Sequence, residues 1–320
     1  MPSIPTENLS ASENTSGKSY LIPFILVTSL FFLWGLANIL NSALIAQFQP
    51  VFEIKRAQAL LVETAFYFGY FTIALPAGFF LEKYGYKKGI ILGLILYALG
   101  ALLFIPSAKI LTFGMFLLAL YVIASGLAFL ETAANPYVTI LGDSKTAVQR
   151  LNFSQSFNGL ALVVGPFISG QFIFAGNEGS LTSIVEKQNA ANAVIGPYMF
   201  IAVTVLLLSF LFWMIKMPEP QSTGKLFFST SIFRHRHLTM AIIAQLFYVG
   251  AQAGIWGISI NYIIELLPGT TREVASKHYL VIGTSLFVAG RFLGTLVMTF
   301  IKDHKLLVIC ALSSMVLCAC

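Results

Sequence analysis

Charge is what this chain has least of. Only 10% of its 320 residues are Asp, Glu, Lys or Arg, while 57% are hydrophobic and 29 are phenylalanine. A water-soluble chain of this length cannot cover its surface with so few charges, so its outer face requires lipid as solvent. Cysteine is scarce as well. Cys310, Cys318 and Cys320 all fall in the last apolar stretch, which suits neither a disulfide framework nor a metal site. No H-E-x-x-H pair, nucleophile elbow or phosphate loop occurs, and all four histidines lie in or beside connections between apolar runs, so an enzyme is not expected. No cofactor or metal is implied. Residues 1–17 are polar, and the first apolar run is too long for the core of a secretory signal.

Long apolar runs are what is present. A helix of about 20 apolar residues crosses the hydrocarbon core. That length predicts spans near 20–46, 57–81, 89–107, 110–141, 151–175, 191–215, 238–264, 274–300 and 305–320. Backbone in lipid must satisfy its own hydrogen bonds, and the alternation of a barrel strand is missing, so the expected class is an all-α polytopic membrane protein. The net charge of +6 is no nucleic-acid signal, because the basic residues sit between the spans. Twelve of the 19 Lys and Arg residues fall on the side of the N-terminus, six on the other, and Arg291 within a span. The positive-inside rule then places the N-terminus, with a tail of residues 1–19, in the cytoplasm.

One connection is longer and more polar than the others. Residues 216–237 hold Pro218, Pro220, Gly224 and the basic run Arg234-His235-Arg236-His237, and six spans precede them. This reads as a cytoplasmic linker between a half at 20–215 and a second part at 238–320. At an offset of 216, Phe31-Phe32 falls on Phe247-Tyr248, Gly78 falls on Gly294, and the first three spans fall on the last three. The repeat predicts twelve helices, of which the chain carries about nine; it reads as a fragment lacking three, with a natural nine-helix protein as the alternative.

Between the second and third spans, Gly78-Phe79-Phe80-Leu81-Glu82-Lys83-Tyr84-Gly85-Tyr86-Lys87-Lys88 resembles the signature loop of the major facilitator superfamily, G-x-x-x-[DE]-[RK]-x-G-x-[RK]-[RK]. Gly78 is expected to let two helices approach closely and Gly85 to make the turn. Lys83, Lys87 and Lys88 are expected to hold the loop at the surface, and Glu82 to pair with a basic partner that changes as the halves move. WGLANILN at 34–41, ETAFYFGYF at 63–71, FLETAANPYVTILG at 129–142, RLNFSQSFN at 150–158, QLFYVGAQAGIW at 245–256 and AGRFLGT at 289–295 are similar to the bacterial fucose–proton symporter family. The resemblance implies a multi-pass carrier of a bacterial inner membrane that imports fucose, glucose, galactose or N-acetylglucosamine by alternating access, coupled to protons.

Polar groups at membrane depth carry the candidate site, because each costs energy there. Glu131 lies deep in the fourth span, with Asn135 at i+4 and the backbone break of Pro136 beside it. Burial disfavours its charged form, which suits a proton carrier. In the resembling family the matching glutamate takes part in sugar binding and coupling. Trp34, Asn38, Asn41 and Ser42 form a polar-aromatic stripe on the first span, Gln155 and Asn158 one on the fifth, and Gln245, Tyr248, Gln252 and Ser259 one on the seventh, with Trp256 close to it. Together they predict a shared sugar cavity. The family carries Asp at the position of Ser42, where it serves proton coupling. Glu63 is expected near the outer end of the second span, either as a replacement carboxylate or as an interfacial residue in water. Sodium coupling and uncoupled diffusion stay open, as does a transport-inactive remnant or sugar-sensing relative. Arg291 is expected to act as a structural charge partner near the cytoplasmic side. A monomer in the bilayer, with sugar and a coupling ion as its partners, completes the expectation.

Overall fold

The structure, a computed structural model, describes residues 20–143, 146–175, 181, 183–218, 235–297, 301 and 303–319. The expected tail and most of the linker, with Pro220, Gly224 and Arg234, lie outside the described residues. Those described form helices and no strand.

Seven helices are long and apolar enough to cross a membrane: α1 Leu21–Phe52, α2 Arg56–Tyr84, α3 Tyr86–Ile110, α4 Phe113–Ile140, α5 Ala147–Phe174, α6 Ile184–Met214 and α7 Arg236–Leu266. Two shorter ones follow, α8 Val281–Val297 and α9 Asp303–Ala319. The chain enters α8 through a short helix, Arg272–Val274, and a π-helical turn, Ala275–Leu280. These nine match the nine expected spans. Most reach past their apolar run at one end or both, because apolar length does not see polar turns, while α4 and α8 fall inside the expected 110–141 and 274–300. α6, for example, starts before its apolar run. There the Ser183 hydroxyl accepts from the Glu186 N–H at 3.1 Å and the Glu186 carboxylate accepts from the Ser183 N–H at 2.9 Å.

α1 runs through the middle of the bundle. Leu40, Leu44, Ile45 and Phe48 are fully buried, and the helix packs on α4, α5 and α7. α4 packs on α2 and α3, α6 on α3, and α8 on α5. Two basic side chains that read as loop charges close helix ends. Lys87 donates to the carbonyls of Trp213 and Ile215 at the end of α6 (3.0 and 2.8 Å). Arg150 donates to those of Val138 and Thr139 at the end of α4 (3.2 and 2.6 Å). In both places a cation meets the negative end of a helix.

The loop after α2 turns as expected at Gly85, whose φ of 91° and ψ of 160° suit glycine alone. The role expected for Gly78 is corrected. A Cβ there meets nothing within 4 Å, so among the described residues no helix approaches closely at Gly78; α3 and α4 instead touch through Gly93 and Gly126.

α7 and α8 meet the earlier helices at the end of the bundle where α1 gives way to α2. Pro50 has no N–H for the Ala46 carbonyl, and Arg272 donates to that carbonyl at 3.4 Å. Arg56 pairs with Glu265 at 3.0 Å. The buried hydroxyls of Ser169 and Ser276 lie 2.8 Å apart, and Ser276 donates to the Pro166 carbonyl at 2.7 Å. At the same end Lys187 meets Glu53 at 2.6 Å. That hydrogen bond, with the attraction of the ammonium, holds the Glu53 carboxyl below its ordinary range. At the opposite end, the first turns of α7 are exposed.

Candidate functional site

Inside the bundle lies a cavity of about 520 Å³, walled by α1, α2, α4, α5, α7 and α8. α1 presents Trp34 and Asn38 one turn apart, with the Asn38 amide donating to the Trp34 carbonyl at 3.2 Å. From α5 come Gln155 and Asn158, and Asn158 is held by a bond to the Phe31 carbonyl at 3.3 Å. α7 contributes Gln245, Tyr248, Gln252 and Trp256, and α4 contributes Glu131. Part of each stripe expected from α1, α5 and α7 therefore shares one hollow; Ser259 stands outside it, donating to the Trp256 carbonyl at 2.8 Å.

Two expected ligands stand apart from that wall. Asn41 is fully buried and does not line the cavity. Its amide lies against the Glu63 carboxyl without forming a well-shaped hydrogen bond. Spacing alone put it on the stripe, but α1 is covered on several sides, so an i+3 position from Asn38 faces packed helix rather than space. Asn135 lies behind the wall. It donates to the Glu131 carbonyl at 3.2 Å and accepts from Gln155 at 3.1 Å, which fixes Gln155 in place. Ser42 is buried too, bonded to the Ile39 carbonyl at 2.7 Å.

Glu63 is half-buried in the cavity wall, joined there by Tyr67 and Tyr70 from the same helix. Sequence reading missed both tyrosines, although Glu63, Tyr67 and Tyr70 follow one another at i, i+4 and i+7. Arg291 also belongs to the wall. Its guanidinium donates to the Gln155 carbonyl at 2.9 Å and stands over the Phe287 ring at 5.2 Å. Phe287 in turn meets Trp256 edge-on, which fixes the indole. Glu131 makes no ion pair among the described residues.

Two carboxyls, a guanidinium, amides and flat aromatic rings thus converge on a space within the range of small-molecule sites, about 300–1,000 Å³. Such a wall can stack on an apolar ring face and hydrogen-bond a rim of hydroxyls. Among the described residues no cluster of His, Cys, Asp and Glu suits a metal ion.

Residues 24–320 match the family model of the Major Facilitator Superfamily. The chain is 40% identical to the L-fucose-proton symporter of Escherichia coli K12, over 99% of this chain and 76% of that protein. It is 34% identical to the glucose/galactose transporter of Brucella abortus biovar 1, over 98% of this chain and 76% of that protein. A crystal structure of the E. coli fucose:proton symporter superposes with a TM-score of 0.73 at 40% identity, covering 94% of this chain and 77% of that one. The D-xylose-proton symporter, at 12% identity, 88% and 70% coverage and a TM-score of 0.63, shares the fold.

Proposed function

Because the chain belongs to the Major Facilitator Superfamily, as its sequence and helix packing both say, we propose that it carries a monosaccharide across a bacterial inner membrane with a proton. It is a multi-pass membrane transporter rather than an enzyme. The observation that carries the finer reading is the single cavity in which Glu131, Glu63, Arg291, paired amides and two tryptophans converge. Trp34 and Trp256 stack on the CH face of the sugar. Asn38, Gln155, Asn158, Gln245, Tyr248 and Gln252 bond its hydroxyls, and Asn135 holds Gln155 in position. L-Fucose, glucose and galactose are the candidate solutes, since relatives bear those names.

Glu131 is the coupling carboxyl. It stands in the sugar cavity at membrane depth and pairs with no cation among the described residues, so a proton must neutralise it when water is excluded. Glu63 faces the same space and stands in for the family aspartate that Ser42 replaces. The parts at 20–215 and 238–320 rock against each other about the 216–237 linker. The loop from Gly78 to Lys88 holds one end state, with Lys87 clamping it to the end of α6. With the N-terminus in the cytoplasm, the contacts of Arg56, Arg272 and Ser276 close the outer side, and the cavity faces the cytoplasm.

Cells lacking their own sugar uptake, expressing this chain, test the reading with labelled L-fucose, D-galactose and D-glucose. Uptake of at least one, raised by an inward proton gradient, is expected. Uptake of none of them, or uptake driven only by sodium, overturns it.

A further inference from the structure

Glu131 borders two hollows. The second, of about 500 Å³, lies between α2 and α4, and Tyr70 and Glu131 stand in both walls. Its other lining includes Ala74, Thr132, Asn135 and Pro136, none of which lines the first cavity. α2 and α4 run the same way, and these residues follow Tyr70 and Glu131 along them, towards the end of the bundle that carries Gly85. The two hollows therefore meet at one carboxyl and part from there.

The wall of the second hollow is largely apolar, with Phe71, Ala74 and Ala128 in it, but it carries a short row of polar groups that water can use. Pro136 has no N–H, so the Thr132 carbonyl lacks its usual helical donor. The Thr132 hydroxyl donates to the Ala128 carbonyl at 2.7 Å, which leaves its oxygen free to accept. Asn135 uses one N–H on the Glu131 carbonyl and keeps the other. The Tyr70 hydroxyl, at the partition, is buried and makes no well-shaped hydrogen bond among the described residues, though the Trp34 indole lies beside it. A water occupies roughly 30 Å³ in the liquid, so several fit.

We propose that the proton on Glu131 leaves through this second hollow while the sugar leaves through the first, with Thr132 positioning the water that receives it. The carboxyl O–H bond breaks, the proton passes to that water and along its neighbours to bulk solvent, and the carboxylate remains. Separate exits keep a bound sugar from blocking discharge. This rests on the proton-coupled reading above.

Thr132→Val removes the hydroxyl at constant shape, and Ala74→Leu fills the hollow from α2. In membrane vesicles bearing the full chain, labelled L-fucose, D-galactose and D-glucose are followed in two modes. Exchange between equal pools moves no net proton and stays within about twofold of the unaltered chain. Accumulation driven by a pH gradient falls at least about tenfold in both variants, and Thr132→Ser restores it. Driven accumulation kept by both variants overturns the separate exit, as does exchange that falls in step with accumulation. Glu131→Gln is run alongside. If it still accumulates sugar on a pH gradient, proton carriage by Glu131 fails and the exit route falls with it; if only Thr132→Val and Ala74→Leu do, the exit route alone fails.

Discussion

Replacing Gly35 with alanine places a methyl group where α1 and α5 already touch. Its carbon would stand 2.4 Å from the Asn158 carbonyl oxygen, 2.9 Å from the Ala161 Cβ and 3.0 Å from the Asn158 amide nitrogen. A carbon and a carbonyl oxygen approach no closer than about 3.3 Å. The nearest obstacle is backbone, which cannot swing aside as a side-chain tip can, so the helices must part by roughly 1 Å. Overpacking of this kind costs about 1–3 kcal/mol. The strain falls on the cavity, because Asn158 lines it and is held to the Phe31 carbonyl one turn away. Sugar affinity is expected to weaken about tenfold, equivalent to about 1.4 kcal/mol. Thermal unfolding in detergent and sugar binding by calorimetry measure the two effects. Gly114→Ala is the control, since a Cβ there meets nothing within 4 Å, and its effect stays within about 0.5 kcal/mol. A Gly35→Ala protein as stable as the parent, with unchanged affinity, refutes the packing argument, as does an equal loss in Gly114→Ala.

Gly85→Ala forces a Cβ onto a backbone at φ 91° and ψ 160°, which costs about 1–3 kcal/mol, and a lowered melting temperature checks it. At the opposite end, Lys187 holds the Glu53 carboxyl below its ordinary range. The stability from that pair is present above the carboxyl's unfolded value and disappears as pH falls through the depressed one. Glu53→Gln is therefore expected to flatten the acid side of a melting temperature against pH profile and to lower its neutral plateau.

How much of this was legible in the sequence depends on which physical signal each feature left. Spans were legible because lipid imposes a length and a polarity, and among the described residues each of the nine expected runs carries a helix. Gln155, Gln245 and Glu131 were legible because a polar group at membrane depth needs a reason, and a cavity supplied one. Asn41 broke that rule: in a helix packed on several sides, helical spacing cannot separate a wall facing a hollow from a wall facing another helix. Tyr67 and Tyr70 left only their spacing from Glu63 as a signal, and a tyrosine in an apolar run resembles any other aromatic until a hollow appears beside its hydroxyl. Arg291 was expected as a structural charge partner near the cytoplasmic side because long basic side chains reach for the interface; that its guanidinium also stands in the cavity wall, on the Gln155 carbonyl and over the Phe287 ring, left no mark in the sequence. Gly78 matched a motif whose partner helix is not beside it in this structure.

The most direct measurement is proton movement on adding sugar. In a lightly buffered suspension of cells expressing the chain, L-fucose, D-galactose or D-glucose is added and the outside pH followed. Alkalinisation by the native chain, abolished in Glu131→Gln, is the predicted result. Sugar entry without any pH change in the native chain, or undiminished alkalinisation in Glu131→Gln, would contradict it.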